Sequence, residues 1–114
     1  MKRLALCILF VACSACSGPN PLTGSGTVIY KIDGSALRAD LTYSGEGGST
    51  IQQAGVALPA QRSVPAHSGD FLYISAQNDG STGCVHVSIV SGNKTLNEAT
   101  SCGAFVIATA QATY

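Results

Sequence analysis

The sequence predicts an all-β fold: a two-sheet antiparallel β-sandwich of about seven strands, immunoglobulin-like in architecture. Three observations lead there. Apolar and polar residues alternate with a period of two through most of the chain beyond residue 26. Clusters of Gly, Asn, Asp and Pro interrupt that alternation at short intervals. Beyond the first residues, no stretch carries the periodicity of an amphipathic helix. The same strands allow an open or closed barrel as the alternative arrangement. Composition agrees, since only 11% of the 114 residues are charged and Trp is absent, which suits a small exported β domain.

The chain begins with a segment of another kind. Lys2 and Arg3 precede an apolar run over residues 4–12, and Cys13-Ser14-Ala15-Cys16 follows. A run of about nine apolar residues is too short to span a bilayer, which takes roughly 20, and suits an export signal. Small Ser14 and Ala15 fit a narrow peptidase cleft, and the Cys16 thiol is available for acylation before cleavage ahead of it. Residues 1–15 are thus expected to be a lipoprotein signal peptide, helical during export, with lipidation at Cys16. Cys13 is the rival acceptor, although Phe10 fits the usual aliphatic position poorly. Residues 16–26 contain Gly18-Pro19-Asn20-Pro21 and Gly24-Ser25-Gly26 without a hydrophobic period, the composition of a flexible lipidated tether. The β-sandwich domain is expected over residues 27–114.

Within that domain, residues 27–33 place Val28, Tyr30 and Ile32 on one face. Residues 36–43 do the same with Leu37, Ala39, Leu41 and Tyr43. Asp33-Gly34 is a tight-turn dipeptide, so these two strands are expected to form a hairpin. A Gly-rich connection over residues 44–49 leads to a strand over residues 50–58 that ends at Pro59, which offers no ladder donor. Residues 60–65 read as a short edge segment or loop. Residues 71–77 are rich in aromatic and branched side chains and read as a central strand, closed by the turn Asn78-Asp79-Gly80-Ser81. In residues 84–90, Val85, Val87 and Ile89 share one face while Cys84, His86 and Ser88 share the other. After a turn at residues 91–94, residues 96–102 return antiparallel. Pairing Ser91 with Thr95 sets Val90 against Leu96, Ser88 against Glu98, His86 against Thr100 and Cys84 against Cys102. Residues 104–114 form a last long β segment that closes a sheet.

Of the five cysteines, Cys7 and Cys13 leave with the signal and Cys16 takes the lipid. Cys84 and Cys102 remain, and an even pair outside the cytoplasm implies a disulfide. It closes a loop of about 18 residues, worth roughly 3 kcal/mol on chain-entropy grounds. Directly opposed Cβ atoms lie slightly farther apart than a disulfide prefers, so a non-hydrogen-bonded pair suits it best. Without Lys2 and Arg3, four basic side chains face six acidic ones, which gives no support for a nucleic-acid partner.

Several segments resemble the MmpS-type accessory proteins of mycobacterial and related bacterial envelopes. They are Gly26-Thr27-Val28-Ile29-Tyr30 with Gly34, Ala39-Asp40-Leu41-Thr42-Tyr43, Val56-Ala57-Leu58-Pro59, Leu72-Tyr73-Ile74-Ser75-Ala76-Gln77-Asn78, and Cys84 with its hairpin through Ser101-Cys102-Gly103-Ala104-Phe105. The likeness spans nearly the whole mature domain. It implies an exported β-sandwich that assists a large membrane transporter in moving lipids or siderophores, and it implies no catalytic residues. Two features depart from the family: a lipobox-like Cys16 in place of an N-terminal membrane helix, and Ala60 where an aromatic often follows Leu-Pro.

The ionisable residues offer no recognisable catalytic, cofactor or metal constellation. His67 and Asp70 share a loop with Ser68, but order along a loop does not create triad geometry. His86 lies opposite Thr100 and diagonal to Glu98, a surface hydrogen bond or weak charge pair. Gly45, Gly47 and Gly48 lack the following helix and Lys of a phosphate cradle and read as a mobile loop. Asn93-Lys94-Thr95 matches a glycosylation sequon and reads more simply as a turn entering a strand. The expectation is therefore a non-enzymatic envelope lipoprotein without cofactor. A diacylglycerol/acyl anchor would hold it to the extracytoplasmic membrane face, the outer membrane in a two-membrane cell. Its role would be that of an interaction module with a transporter or other envelope protein as partner. A carrier of lipid or a small apolar ligand between the sheets is the alternative.

Overall fold

The structure, a computed structural model, describes residues 26–114. The expected signal peptide and tether, with Cys13 and Cys16, lie outside the described residues. Eight strands account for most of the rest: β1 Gly26–Asp33, β2 Arg38–Ser44, β3 Thr50–Ala57, β4 Ala60–Ala66, β5 Phe71–Asn78, β6 Cys84–Ser91, β7 Lys94–Cys102 and β8 Ile107–Thr113. One short 3-10 turn, Glu46–Gly48, interrupts the β2–β3 connection. Two four-stranded sheets, in the orders β8-β5-β2-β3 and β4-β1-β6-β7, pack face to face, and every pairing is antiparallel. The expected sandwich is the fold, with eight strands where about seven were expected.

The inward faces follow the alternation. Val28, Tyr30 and Ile32 of β1 and Val85, Val87 and Ile89 of β6 are fully buried, and so are Ala39 and Leu41 of β2 and Ile74 and Ala76 of β5. Burying such side chains contributes roughly 1.5–3 kcal/mol each for the larger ones, which is what holds the two layers together. Residues 71–77 do form a central strand, flanked by β8 and β2.

The hairpin expected between residues 27–33 and 36–43 does not form, because β1 and β2 belong to opposite sheets. They face each other across the core instead, with the Tyr30 and Tyr43 ring centroids 5.5 Å apart. Gly34 is used for close approach. At φ 117° it runs against Cys84, where a β-carbon would collide with the Cys84 carbonyl oxygen. The chain then stays on β6, with Cys84 N–H donating to Ser35 Oγ at 2.9 Å and Ala36 N–H donating to Cys84 O at 3.0 Å, before crossing over. Leu37, expected on the buried face, consequently lies in the crossover and is 85% exposed.

Other segments also change sheets. Residues 60–65, left open as edge segment or loop, form β4 at the edge of the second sheet, reached from β3 through Leu58-Pro59. Within the last segment, residues 103–106 are a loop and β8 begins only at Ile107. The β6–β7 hairpin keeps the expected register from Cys84↔Cys102 to Ser88↔Glu98. A bulge after Ile89 then sets Val90 against Thr95 and Ser91 against Lys94, so the turn is one residue tighter than expected.

Candidate functional site

Both ends of the described chain lie at one end of the sandwich. β1 starts at Gly26 beside Ala66, the last residue of β4, and β8 ends at Thr113 beside Phe71. Tyr114 N–H donates to Asp70 O at 2.9 Å, and Gly69 N–H donates to Tyr114 O at 3.0 Å. Whatever precedes residue 26 therefore joins the body at this end, called proximal below. The antiparallel registers put residues 34–37, 58–59, 79–83 and 103–106 at the opposite, distal end.

The distal loops are bound to one another by backbone and amide hydrogen bonds. Asp79 N–H donates to Arg38 O at 3.2 Å, and Phe105 N–H donates to Gly80 O at 3.1 Å. The connection after β5 thus lies between Leu37 on one flank and Phe105 on the other. Asn78 anchors the arrangement. It is only 1% exposed; its amide donates to Thr82 O and Gly103 O, both at 2.9 Å, and its Oδ1 accepts from Gly80 N–H at 2.9 Å. A buried amide with its hydrogen bonds made fixes geometry, because every alternative leaves polar atoms dry and unpaired. Gly83 completes the close packing, since a β-carbon there would lie 3.0 Å from the Ala36 backbone.

This rigid frame presents apolar side chains to solvent. Leu37 is 85% exposed, Phe105 57% and Ile107 53%. Apart from Asp79, residues 34–37, 58–59, 79–83 and 103–106 carry no charge. Phe105 is also the one described non-glycine residue with positive φ, at 55°. A bulky side chain in the left-handed region costs about 1–3 kcal/mol, and the surroundings enforce it here. Its N–H is bound to Gly80 and its carbonyl accepts from Gln77 Nε2 at 3.0 Å. A depression of about 380 Å³ between Leu37 and the β5–β6 connection adds relief to the same surface.

The residues singled out in the sequence are placed as follows. Cys84 and Cys102 form a disulfide with Cα atoms 4.0 Å apart, at the distal ends of β6 and β7. The neighbouring Gly103 N–H to Gly83 O bond makes it a non-hydrogen-bonded pair, as the geometry requires. His86 bonds Thr100 Oγ1 through Nδ1 at 2.6 Å, and its Nε2 lies 3.1 Å from Glu98 Oε1, on the outer face of the second sheet. His67 and Asp70 close the β4–β5 turn at the proximal end, with His67 N–H donating to Asp70 Oδ2 at 2.8 Å. Gly45, Gly47 and Gly48 lie in and beside the 3-10 turn, and Asn93 sits in the β6–β7 turn. The two histidine pairs are therefore on different elements and share no site. Among the described residues, no group of three or more His, Cys, Asp and Glu side chains is placed to hold a metal ion. No described helix is long and apolar enough to cross a membrane.

Leu37 and Phe105, the centre of the distal surface, were absent from the sequence-derived candidates. The signal for Phe105 was its place two residues after Gly103, where a loop and a strand start are equally compatible with the pattern. Comparison with models of known protein families gives no match, and comparison with curated proteins gives none either.

Proposed function

We propose that this chain is a non-enzymatic accessory module of the bacterial cell envelope, acylated at Cys16, that engages an envelope protein through its distal tip. The observation that carries this reading is the opposition of the two ends. The chain joins the body at one pole, and a surface bearing exposed Leu37, Phe105 and Ile107, with Asp79 and Arg38 beside them, occupies the other. A domain tethered by its N-terminus presents that pole away from its attachment, where a partner reaches it. The resemblance to MmpS-type proteins suggests a membrane transporter as the partner class. The core fills the space between the sheets, which counts against the alternative of a carrier holding a lipid or small apolar ligand there; a cleft of about 390 Å³ remains at the proximal end.

The test uses a photo-crosslinking residue in place of Leu37, with Ser63 on the exposed face of β4 as the control. Capture of an envelope protein from position 37 and not from 63 is expected. Equal capture from both, or none, overturns the tip assignment. Phe105→Gly separates recognition from folding: it relieves the left-handed strain, so the thermal midpoint should hold or rise by a few degrees while capture falls. Palmitate incorporation that survives Cys16→Ser would overturn the anchor.

A further inference from the structure

The proximal cleft has a chemical character of its own. It opens where the β2–β5 ladder ends, beyond the Tyr43↔Ile74 pair. Tyr43, Leu72 and Val64 line its interior side, and the rings of Phe71 and Tyr73 stand together on β5, with centroids 6.5 Å apart and planes inclined by 27°. Phe71 is 58% exposed although it sits in a regular strand. Ser44 Oγ occupies the gap in the ladder, accepting from Tyr73 N–H at 3.0 Å and lying 2.7 Å from the Tyr30 hydroxyl, so the wall is fixed from behind. Asp70 is the one charged side chain in the lining, and no Lys or Arg is among the lining residues. Its Oδ2 accepts from His67 N–H at 2.8 Å and lies 3.8 Å from the His67 imidazole Nδ1, so the carboxylate is held at the rim of the β4–β5 turn.

The geometry points to a binding site for a small organic cation, an alkylammonium group with an apolar body. Aromatic faces attract a cation through their quadrupole, by about 0.5–2 kcal/mol per ring according to desolvation, and a nearby carboxylate adds charge complementarity. The cleft volume lies in the range of small-molecule pockets, which run from roughly 300 to 1,000 Å³. With no basic residue in the lining, an anionic ligand would lose its hydration without gaining a partner. This inference does not depend on the distal tip or on the accessory reading.

The test is a titration of the full-length chain with choline, followed by the NMR signals of the Phe71 and Tyr73 rings. The uncharged isostere 3,3-dimethylbutan-1-ol and methyl glucoside serve as comparisons. Saturable choline shifts are expected, with the isostere about tenfold weaker and with Phe71→Ala and Asp70→Asn each lowering affinity by a similar factor. Phe71 is exposed, so its variant keeps the fold, which far-UV circular dichroism checks independently of Asp70→Asn. Co-sedimentation with phosphatidylcholine vesicles, against phosphatidylglycerol vesicles, distinguishes a lipid headgroup from a free amine as the source. Either source supports the site. No saturable choline shift, equal binding of the isostere, or binding of the glucoside instead overturns it.

Discussion

Asn78 and Tyr30 show how single polar groups organise this small core. Asn78 is buried with both ends of its amide engaged, and its partners lie on two connections separated along the chain. Asn78→Ala leaves carbonyls at Thr82 and Gly103 without their donor, which should cost about 1–3 kcal/mol in urea denaturation. The distal loops should then lose amide-exchange protection before the sheets do. Tyr30 places its hydroxyl 2.7 Å from Ser44 Oγ of the opposite sheet. Burial raises its pKa above the ordinary tyrosine value, outweighing the lowering by the Ser44 hydrogen bond. Above about pH 10 the unfolded chain therefore gives up this proton while the folded chain keeps it. The contribution is complete below that pH and is lost as pH rises through the folded value. Tyr30→Phe should flatten the alkaline decline of the urea midpoint and cost about 1 kcal/mol at neutral pH through the lost hydrogen bond.

At the scale of elements, the informative feature is how the β3, β4 and β8 edges are closed to further pairing. In β3 a bulge opposite Asp40 turns the backbone at Gly55, whose N–H donates to Asp40 Oδ1 at 2.8 Å and whose carbonyl accepts from Arg38 at 3.0 Å. β4 carries Pro65, and inward-reaching Arg62 donates to Gln53 Oε1 of β3 at 2.8 Å, tying the two sheets along that side. On the other side, β7 caps outward carbonyls of β8: Ser101 Oγ donates to Ile107 O at 2.8 Å and Asn97 Nδ2 to Gln111 O at 2.7 Å. These devices argue against strand addition at those three edges. Replacing both Asn97 and Ser101 by Ala should expose the β8 edge. Concentration-dependent self-association in sedimentation velocity is the expected result.

For the molecule as a whole, only the β2–β3 and β6–β7 connections are hairpins, and the remaining connections pass between sheets. Most contacts are consequently non-local, and their loop-closure entropy has to be met before pairing rewards it. The disulfide at the distal ends of β6 and β7 instead closes one of the two local hairpins in the unfolded chain. Reduction should lower unfolding free energy by about 2–4 kcal/mol, measured by urea denaturation with and without reductant. Against a usual total of about 5–15 kcal/mol that is a large share. The distal frame, held by the same two strands, should loosen first.

Most strands, most of the faces they bury and the meeting of Cys84 with Cys102 were legible in the sequence, while Leu37, residues 60–65 and residues 103–106 were not. Period-two alternation, turn chemistry and hairpin register are all local properties of neighbouring residues. The Phe71–Asn78 strand and the pairing of His86 with Thr100 followed from them directly. Sheet membership was not legible. Asp33-Gly34 is compatible both with a hairpin and with a crossover, because Val28, Tyr30 and Ile32 are buried in either case. Only the contact of Gly34 with Cys84 decides between them, and that contact joins residues distant along the chain. The distal tip and the proximal cleft share this origin. Leu37 is exposed because the crossover carries it off β2, Phe105 because Gly80 and Gln77 hold it outward, and the Phe71 cleft because Ser44 enters the ladder. Alternation specifies that a face is covered, and only tertiary packing specifies by what.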